Sequence, residues 1–182
     1  REYIVIKCGG SILNDPELFK IFIQDISILK KLNFNPCVIH GGGSRITNKL
    51  NDLNIKSNFI KGLRVTDFKV INIVEDVLIK FNKEIVNALK DSSCKARSIT
   101  SKENNIISVD AKNKELGFVG TPTIVKTDFL DEIIKNNEIP IIAPLGLNKD
   151  NQVFNINADT AAGAIAKELK ARRLLIISDV EG

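Results

Sequence analysis

The 182 residues are 43% hydrophobic and carry a net charge of +4, enough chain to bury one core or to form one domain of a larger protein. The lysines are scattered among acids, tryptophan is absent and Tyr3 is the one tyrosine, so the basic arm or basic–aromatic interleaving of a nucleic-acid binder is lacking. Charges interrupt every long apolar run, which argues against a membrane span. The chain enters a strand from its first residues without a signal-peptide pattern, and Cys8, Cys37 and Cys94 show no CxxC spacing, which fits a reduced, cytoplasmic setting.

In chain order, "YIVIKC" (3–8) reads as a buried strand. A helix follows, with Asn14 or Asp15 as N-cap, Pro16 at its first position and Leu18, Phe19, Phe22, Ile23, Ile26 and Leu29 at three-and-four spacing. "PCVIH" (36–40) is a second strand and "SRITNKLNDL" a second helix. A long helix is predicted from Asp67 to about Lys90, with Val70, Val74, Val77, Phe81, Ile85 and Leu89 on one face and Ile71, Ile73 and Leu78 widening it. So broad a face suits either a subunit contact, with Ile73 pointing outward, or deep burial. Residues 97 to 125 lack helical periodicity and carry β-type runs, "RSITS" among them, which predict an antiparallel hairpin region. A short helix capped by Thr127, the strand "IPIIAP" (139–144), the helix "DTAAGAIAKELKA" and a last strand "RRLLIIS" complete the pattern. Strand and helix alternate, so the predicted fold is α/β: a three-layer αβα sandwich with a mainly parallel central sheet plus the hairpin region.

Ligands of open α/β sheets bind outside the carboxyl ends of the strands. Two glycine clusters fall there, Gly9-Gly10 after the first strand and Gly41-Gly42-Gly43 after the second. One such pair reads as a tight turn; two at successive strand ends point to an anion held by backbone N–H groups at a helix N-terminus. Neither GxxxxGK[ST] nor GxGxxG is present. Lys7, in an otherwise apolar strand just before Gly9, reaches either water at an edge or that anion. "FNINADTAAG" sets Asn155, Asn157 and Asp159 at alternate positions, pointing one way along an extended segment, although Asp159 also suits a first-turn acid on the helix dipole. Arg64 in the loop "KGLRVTD" is either a surface arginine or a fork for a carboxylate. His40, the single histidine, reads as a packed residue at a strand end.

Together "IKCGGS" (6–11), "HGGGSRI" (40–46), "KGLRVTD" (61–67), "ELGFVGTPT" (115–123), "NINADTAAGAIA" (155–166) and "LLIISDVEG" (174–182) resemble the amino acid kinase family over the whole chain. "GLRVTD" and "NINAD" resemble the members that phosphorylate N-acetyl-L-glutamate in arginine biosynthesis. Ser44-Arg45 departs from the pattern, which has a proline and a polar residue after the glycines. The resemblance implies an ATP-dependent kinase, with Mg²⁺ arriving on the nucleotide rather than in a protein cage. Lys7 and Asp159 would be catalytic. Gly42, Gly43, Arg64, Asn155 and Asn157 would hold N-acetyl-L-glutamate, and Gly9, Gly10, Asp179, Val180, Glu181 and Gly182 would hold ATP. It also implies a homodimer or higher homo-oligomer through the helix at about 67–90. Residues 1–182 would form the amino-terminal, substrate-binding lobe, with an ATP-binding lobe beyond Gly182, so that this stretch alone binds acceptor but turns over little. A kinase for a related carboxylate such as aminoadipate, or a non-catalytic binding module, would keep the same glycines.

Overall fold

The computed structural model describes residues 2–179. In chain order the elements are β1 (Tyr3–Cys8), α1 (Gly10–Asn14), α2 (Pro16–Lys31), β2 (Asn35–His40), α3 (Gly43–Asp52), β3 (Phe59–Ile60), β4 (Leu63–Arg64), α4 (Phe68–Asp91), β5 (Ala96–Ile99), β6 (Ile107–Ala111), β7 (Gly120–Val125), α5 (Asp128–Lys135), β8 (Ile139–Ile142), β9 (Leu145–Leu147), β10 (Val153–Asn155), α6 (Ala158–Glu168) and β11 (Arg173–Ile177).

Five strands in the order β11-β1-β2-β8-β5 form the central sheet, and every pairing in it is parallel. Parallel strands need crossovers and bury both faces, which is why β1, β2 and β8 read as continuous apolar runs. Their side chains alternate between two cores. Val5, Cys37, Ile39 and Ile142 pack with Ala161, Ala162 and Ile165 of α6 and Ile133 of α5. Ile4, Ile6, Cys8, Val38 and Ile141 pack with Phe22 and Ile26 of α2 and Phe81 and Ile85 of α4. That two-residue period also assigns the polar ends: Lys7 continues the α6 side of β1, and His40 continues the α4 side of β2.

Caps and turns explain where the helices begin. Asp15 accepts from the backbone N–H groups of Glu17 and Leu18 ahead of Pro16, and Asp67 accepts from Val70 N–H to start α4. Thr127, by contrast, sits in helical backbone and its side chain caps nothing in α5. The hairpin region is present as β6 against β7, within a four-stranded sheet ordered β10-β9-β6-β7. "RSITS" is not part of it: β5 pairs in parallel with β8 and closes the central sheet. An alternating run suits either edge, and only the long crossover through α4 decides between them. On α4, Ile73 is half-buried against the cluster formed by Ile46, Leu50 and Val74 rather than pointing freely outward. No helix of the described residues is long and apolar enough to cross a membrane.

Candidate active site

The parallel order brings the carboxyl ends of β1 and β2 side by side, and with them the two glycine turns. Gly41 N–H donates to the Cys8 carbonyl at 2.8 Å, which locks one turn onto the other. A Cβ on Gly10 would lie 3.1 Å from Gly42 N, and one on Gly41 would lie 3.0 Å from Gly10 N. Backbone packed this tightly leaves no room for side chains, the close approach for which glycine is suited. Gly9 N–H is spent on the Ile177 carbonyl of β11 at 2.9 Å. The N–H groups of Gly10, Gly42 and Gly43, in contrast, have no hydrogen-bond partner among the described residues.

These groups open into a cavity of about 230 Å³ whose walls include Lys7, Gly10, Gly42, Gly43, Arg64, Asn155, Asn157 and Asp159. The acceptor and catalytic residues expected from the sequence therefore converge on one recess, although they are spread from position 7 to position 159. A larger recess of about 770 Å³, lined by Lys90, Lys95 and Arg97 beside β5, lies off the strand ends and gathers none of them. The 230 Å³ space is below the range of about 300–1,000 Å³ usual for drug-sized ligands, so it suits a small ligand.

On the cavity wall Lys7 Nζ lies 2.9 Å from Asp159 Oδ1 in the first turn of α6. Asp159 is half exposed while Lys7 is nearly covered, so the lysine head is steered by an acid that itself keeps access to solvent. Asn157 caps the same helix, its Oδ1 accepting from the N–H and the hydroxyl of Thr160 at 3.0 and 3.2 Å. Its amide oxygen is thereby occupied and its NH₂ remains for a ligand. Asn155 ends β10, and its carboxamide has no partner among the described residues.

Arg64, 7% exposed, lines the same cavity. A two-residue turn, Lys61-Gly62, both at positive φ, folds β4 back on β3 and so presents it. The segment is a hairpin rather than an open loop. Arg64 donates to Ser57 Oγ at 2.8 Å, Gly43 O at 3.0 Å and Thr47 Oγ1 at 2.9 Å, and its guanidinium lies 4.8 Å from the Phe59 ring centroid. All three acceptors are neutral. Burial pulls its pKa below the ordinary arginine value, yet no carboxylate of the described residues pairs with it. A covered cation without a counter-charge, at the wall of a cavity, has the charge and donors to receive an anion. Thr47, Ser57 and Phe59 belong to this site and carry no pattern that singles them out in the sequence; they matter only because the hairpin and α3 place them around Arg64.

Of the residues expected at the nucleotide, Gly10 lines the cavity and Asp179 follows β11 at the carboxyl end of the sheet. Val180, Glu181 and Gly182 lie outside the described residues. At the departure from the family pattern, Arg45 stacks 3.8 Å over the Phe81 ring and bonds Asn14 Oδ1 and Glu84 Oε2, while Asn14 donates to Ser44 Oγ. Ser44 and Arg45 thus tie the start of α3 to the end of α1.

Comparison with known proteins agrees with this geometry. Residues 2–182 match the family described as "Amino acid kinase family". An acetylglutamate kinase of Pelagibacter ubique is 70% identical over 181 residues, covering 100% of this chain; the chain spans 63% of that relative's length. Among solved structures, smu.665 from Streptococcus mutans UA159 superposes with a TM-score of 0.90 at 28% identity, covering 99% of this chain and 74% of its own. An N-acetylglutamate synthase of Neisseria gonorrhoeae superposes with a TM-score of 0.87 at 20% identity, over 100% of this chain and 42% of its own, which speaks for the fold alone.

Proposed function

The chain belongs to the amino acid kinase family, and from that premise we propose that it forms the acceptor-binding lobe of an ATP-dependent kinase acting on N-acetyl-L-glutamate in arginine biosynthesis. The product is the acyl phosphate of the side-chain carboxylate. The observation that carries this reading is Arg64: a buried guanidinium with only neutral partners, facing a small cavity that Lys7 also lines. A small dicarboxylate matches two cations lining one cavity.

On this reading each residue has a task set by charge and position. Arg64 holds the α-carboxylate, with Asn155 and the NH₂ of Asn157 on the other polar groups. The reacting carboxylate is already ionised, so no general base is required, and the difficulty lies in bringing two anions together. The unspent N–H groups of Gly10, Gly42 and Gly43 meet oxygens at that junction without side chains between them, and Lys7 places a positive charge on the transferring oxygens. Asp159 aims Lys7 through the 2.9 Å contact. ATP meets the Gly10 side and Asp179, and Mg²⁺ carried on its phosphates supplies further charge neutralisation. We further propose that α4 makes the contact of a homo-oligomer.

The test is a coupled ADP-release assay on the full-length protein with N-acetyl-L-glutamate, aminoadipate and other small carboxylates, alongside calorimetry. Release dependent on acetylglutamate is expected. Release with aminoadipate alone, or binding without turnover, overturns the assignment. For assembly, Ile73→Glu is expected to shift the sedimenting species toward monomer. Because Ile73 also touches its own chain's core, a melting curve must accompany it. A wild-type monomer at micromolar concentration removes the oligomer.

A further inference from the structure

His40 lies outside the mechanism above, yet its surroundings are organised around the glycine turn. It is fully buried at the end of β2, edge-on to Phe81 at 5.2 Å and 70°. Its Nδ1 lies 3.1 Å from Gly41 O, and its Nε2 lies 3.1 Å from Asn82 Nδ2. Asn82 Nδ2 also donates to the Ile141 carbonyl at 2.9 Å, and Asn82 Oδ1 is buried without a partner.

The polarity of this chain has a single solution. Ile141 O can only accept, so the carboxamide nitrogen of Asn82 must face it; the reversed amide would set two oxygens against each other. With its nitrogen committed, Asn82 donates to Nε2, which must then be the unprotonated ring nitrogen. The proton sits on Nδ1 and is donated to Gly41 O. In a trans peptide the C=O and the following N–H point in opposite directions. Fixing the Gly41 carbonyl toward His40 therefore turns the Gly42 N–H away from the core. The Gly42 nitrogen itself lies beside the first glycine turn, where a Cβ added to Gly10 would be 3.1 Å from it. That amide is the one at the junction of the two glycine turns. In this orientation Asn82 Oδ1 is left as a buried acceptor without a partner among the described residues.

We propose that His40 is a positioning residue: through its Nδ1–H bond to Gly41 O, with Asn82 setting the tautomer, it aims the Gly42 N–H at the transferring group. This rests on the kinase reading above. Burial, which lowers the His40 pKa to about 4, keeps the ring neutral and the tautomer constant across the physiological range.

Two substitutions in the full-length protein separate aiming from packing. His40→Asn keeps a nitrogen donor where Nδ1 stands but loses the ring and the Asn82 contact. His40→Gln keeps a polar group toward Asn82 but cannot reach Gly41 O. The expected result is a crossing of orders: His40→Asn melts lower yet retains turnover within about threefold, while His40→Gln melts higher and loses about 10- to 100-fold in turnover with little change in acceptor KM. Turnover that simply follows melting temperature in both variants overturns the proposal. Nitrogen-15 spectra provide an arm independent of activity. The His40 resonances, identified by their loss in His40→Gln, should show Nδ1 protonated, and the Gly42 amide should shift in that variant. A proton on Nε2, or an unmoved Gly42 amide, overturns the inference even if the protein phosphorylates another acceptor. Wild-type activity in His40→Gln overturns it while leaving the kinase reading intact.

Discussion

Gly43→Ala separates ligand binding from folding. A Cβ at Gly43 meets nothing within 4 Å, and the position lies in the first turn of α3 outside the left-handed region. Replacing such a glycine restricts the unfolded chain and stabilises by about 0.4–1 kcal/mol. For a chain of this size that corresponds to a rise of about 1–4 °C in Tm. The added methyl occupies the cavity wall beside an unspent N–H, where a displacement of about 1 Å costs on the order of 100-fold in rate. Stability should therefore rise or hold while kcat/KM for acetylglutamate falls by about that factor. Gly42→Ala is the contrast: its Cβ would lie 2.5 Å from Leu78 Cδ2, and Leu78 is 1% exposed. Forcing a methyl into that packed region costs about 1–3 kcal/mol, so this variant loses stability and activity together. Scanning calorimetry and steady-state kinetics on full-length variants decide it. If Gly43→Ala keeps wild-type kcat and KM, no ligand approaches that backbone, and the glycines serve only the turn.

Lys7→Ala and Asp159→Asn are each expected to lower turnover by about 10²–10³ while acetylglutamate affinity by calorimetry stays near wild type, since both act at the reacting end; near-normal turnover removes the residue from the catalytic set. Arg64→Lys should raise the acceptor KM well above its effect on kcat, because an ammonium cannot reproduce the fork that reaches Ser57, Thr47 and Gly43 together; unchanged affinity would leave Arg64 a structural clamp. His40 gives a pH prediction: its pKa falls from 6.5 unfolded to about 4 folded, so the unfolded chain takes up the proton first on acidification. The stability tied to neutral His40 is whole above pH 6.5 and is lost as pH drops toward 4, by roughly 3 kcal/mol in all. Melting curves of wild type and His40→Asn should converge over that window, and parallel curves refute the assignment.

Much of this site was legible because its chemistry is carried by backbone and by residues in conspicuous places. Glycine clusters at strand ends, a lysine in an apolar strand, and an Asn-x-Asn-x-Asp run each break a local pattern, and the parallel sheet then brings them together. What stayed hidden depends on contacts across long separations. Arg64 reaches Ser57 seven residues away but Thr47 and Gly43 at 17 and 21, and His40 meets Asn82 at a separation of 42. Thr47, Ser57 and Asn82 are ordinary polar residues until the hairpin and α4 are in place. The same limit explains "RSITS": alternation specifies a strand and its buried face but not its partner, which α4 supplies. Thr127 shows the converse, since a residue well suited to cap a helix does so only if its own backbone is extended.

The glycine turn is held through its carbonyls. His40 takes the Gly41 oxygen, Arg64 takes the Gly43 oxygen, and Ile46 N–H takes the Gly42 oxygen at 3.0 Å. Because a carbonyl and the N–H that follows it are antiparallel, the bonds to the Gly41 and Gly42 oxygens set the directions of the Gly42 and Gly43 N–H groups, and the bond from Arg64 anchors the end of the turn at Gly43. Glycine alone would leave the turn free to reorient, and any cradle built from it would have to be ordered again for each ligand. The residues that pin it come from three different elements, β2, β4 and α3, and one of them, Arg64, is also the proposed clamp on the acceptor. On the kinase reading, the residue that clamps the acceptor's carboxylate is thus also the one that anchors the end of the glycine turn.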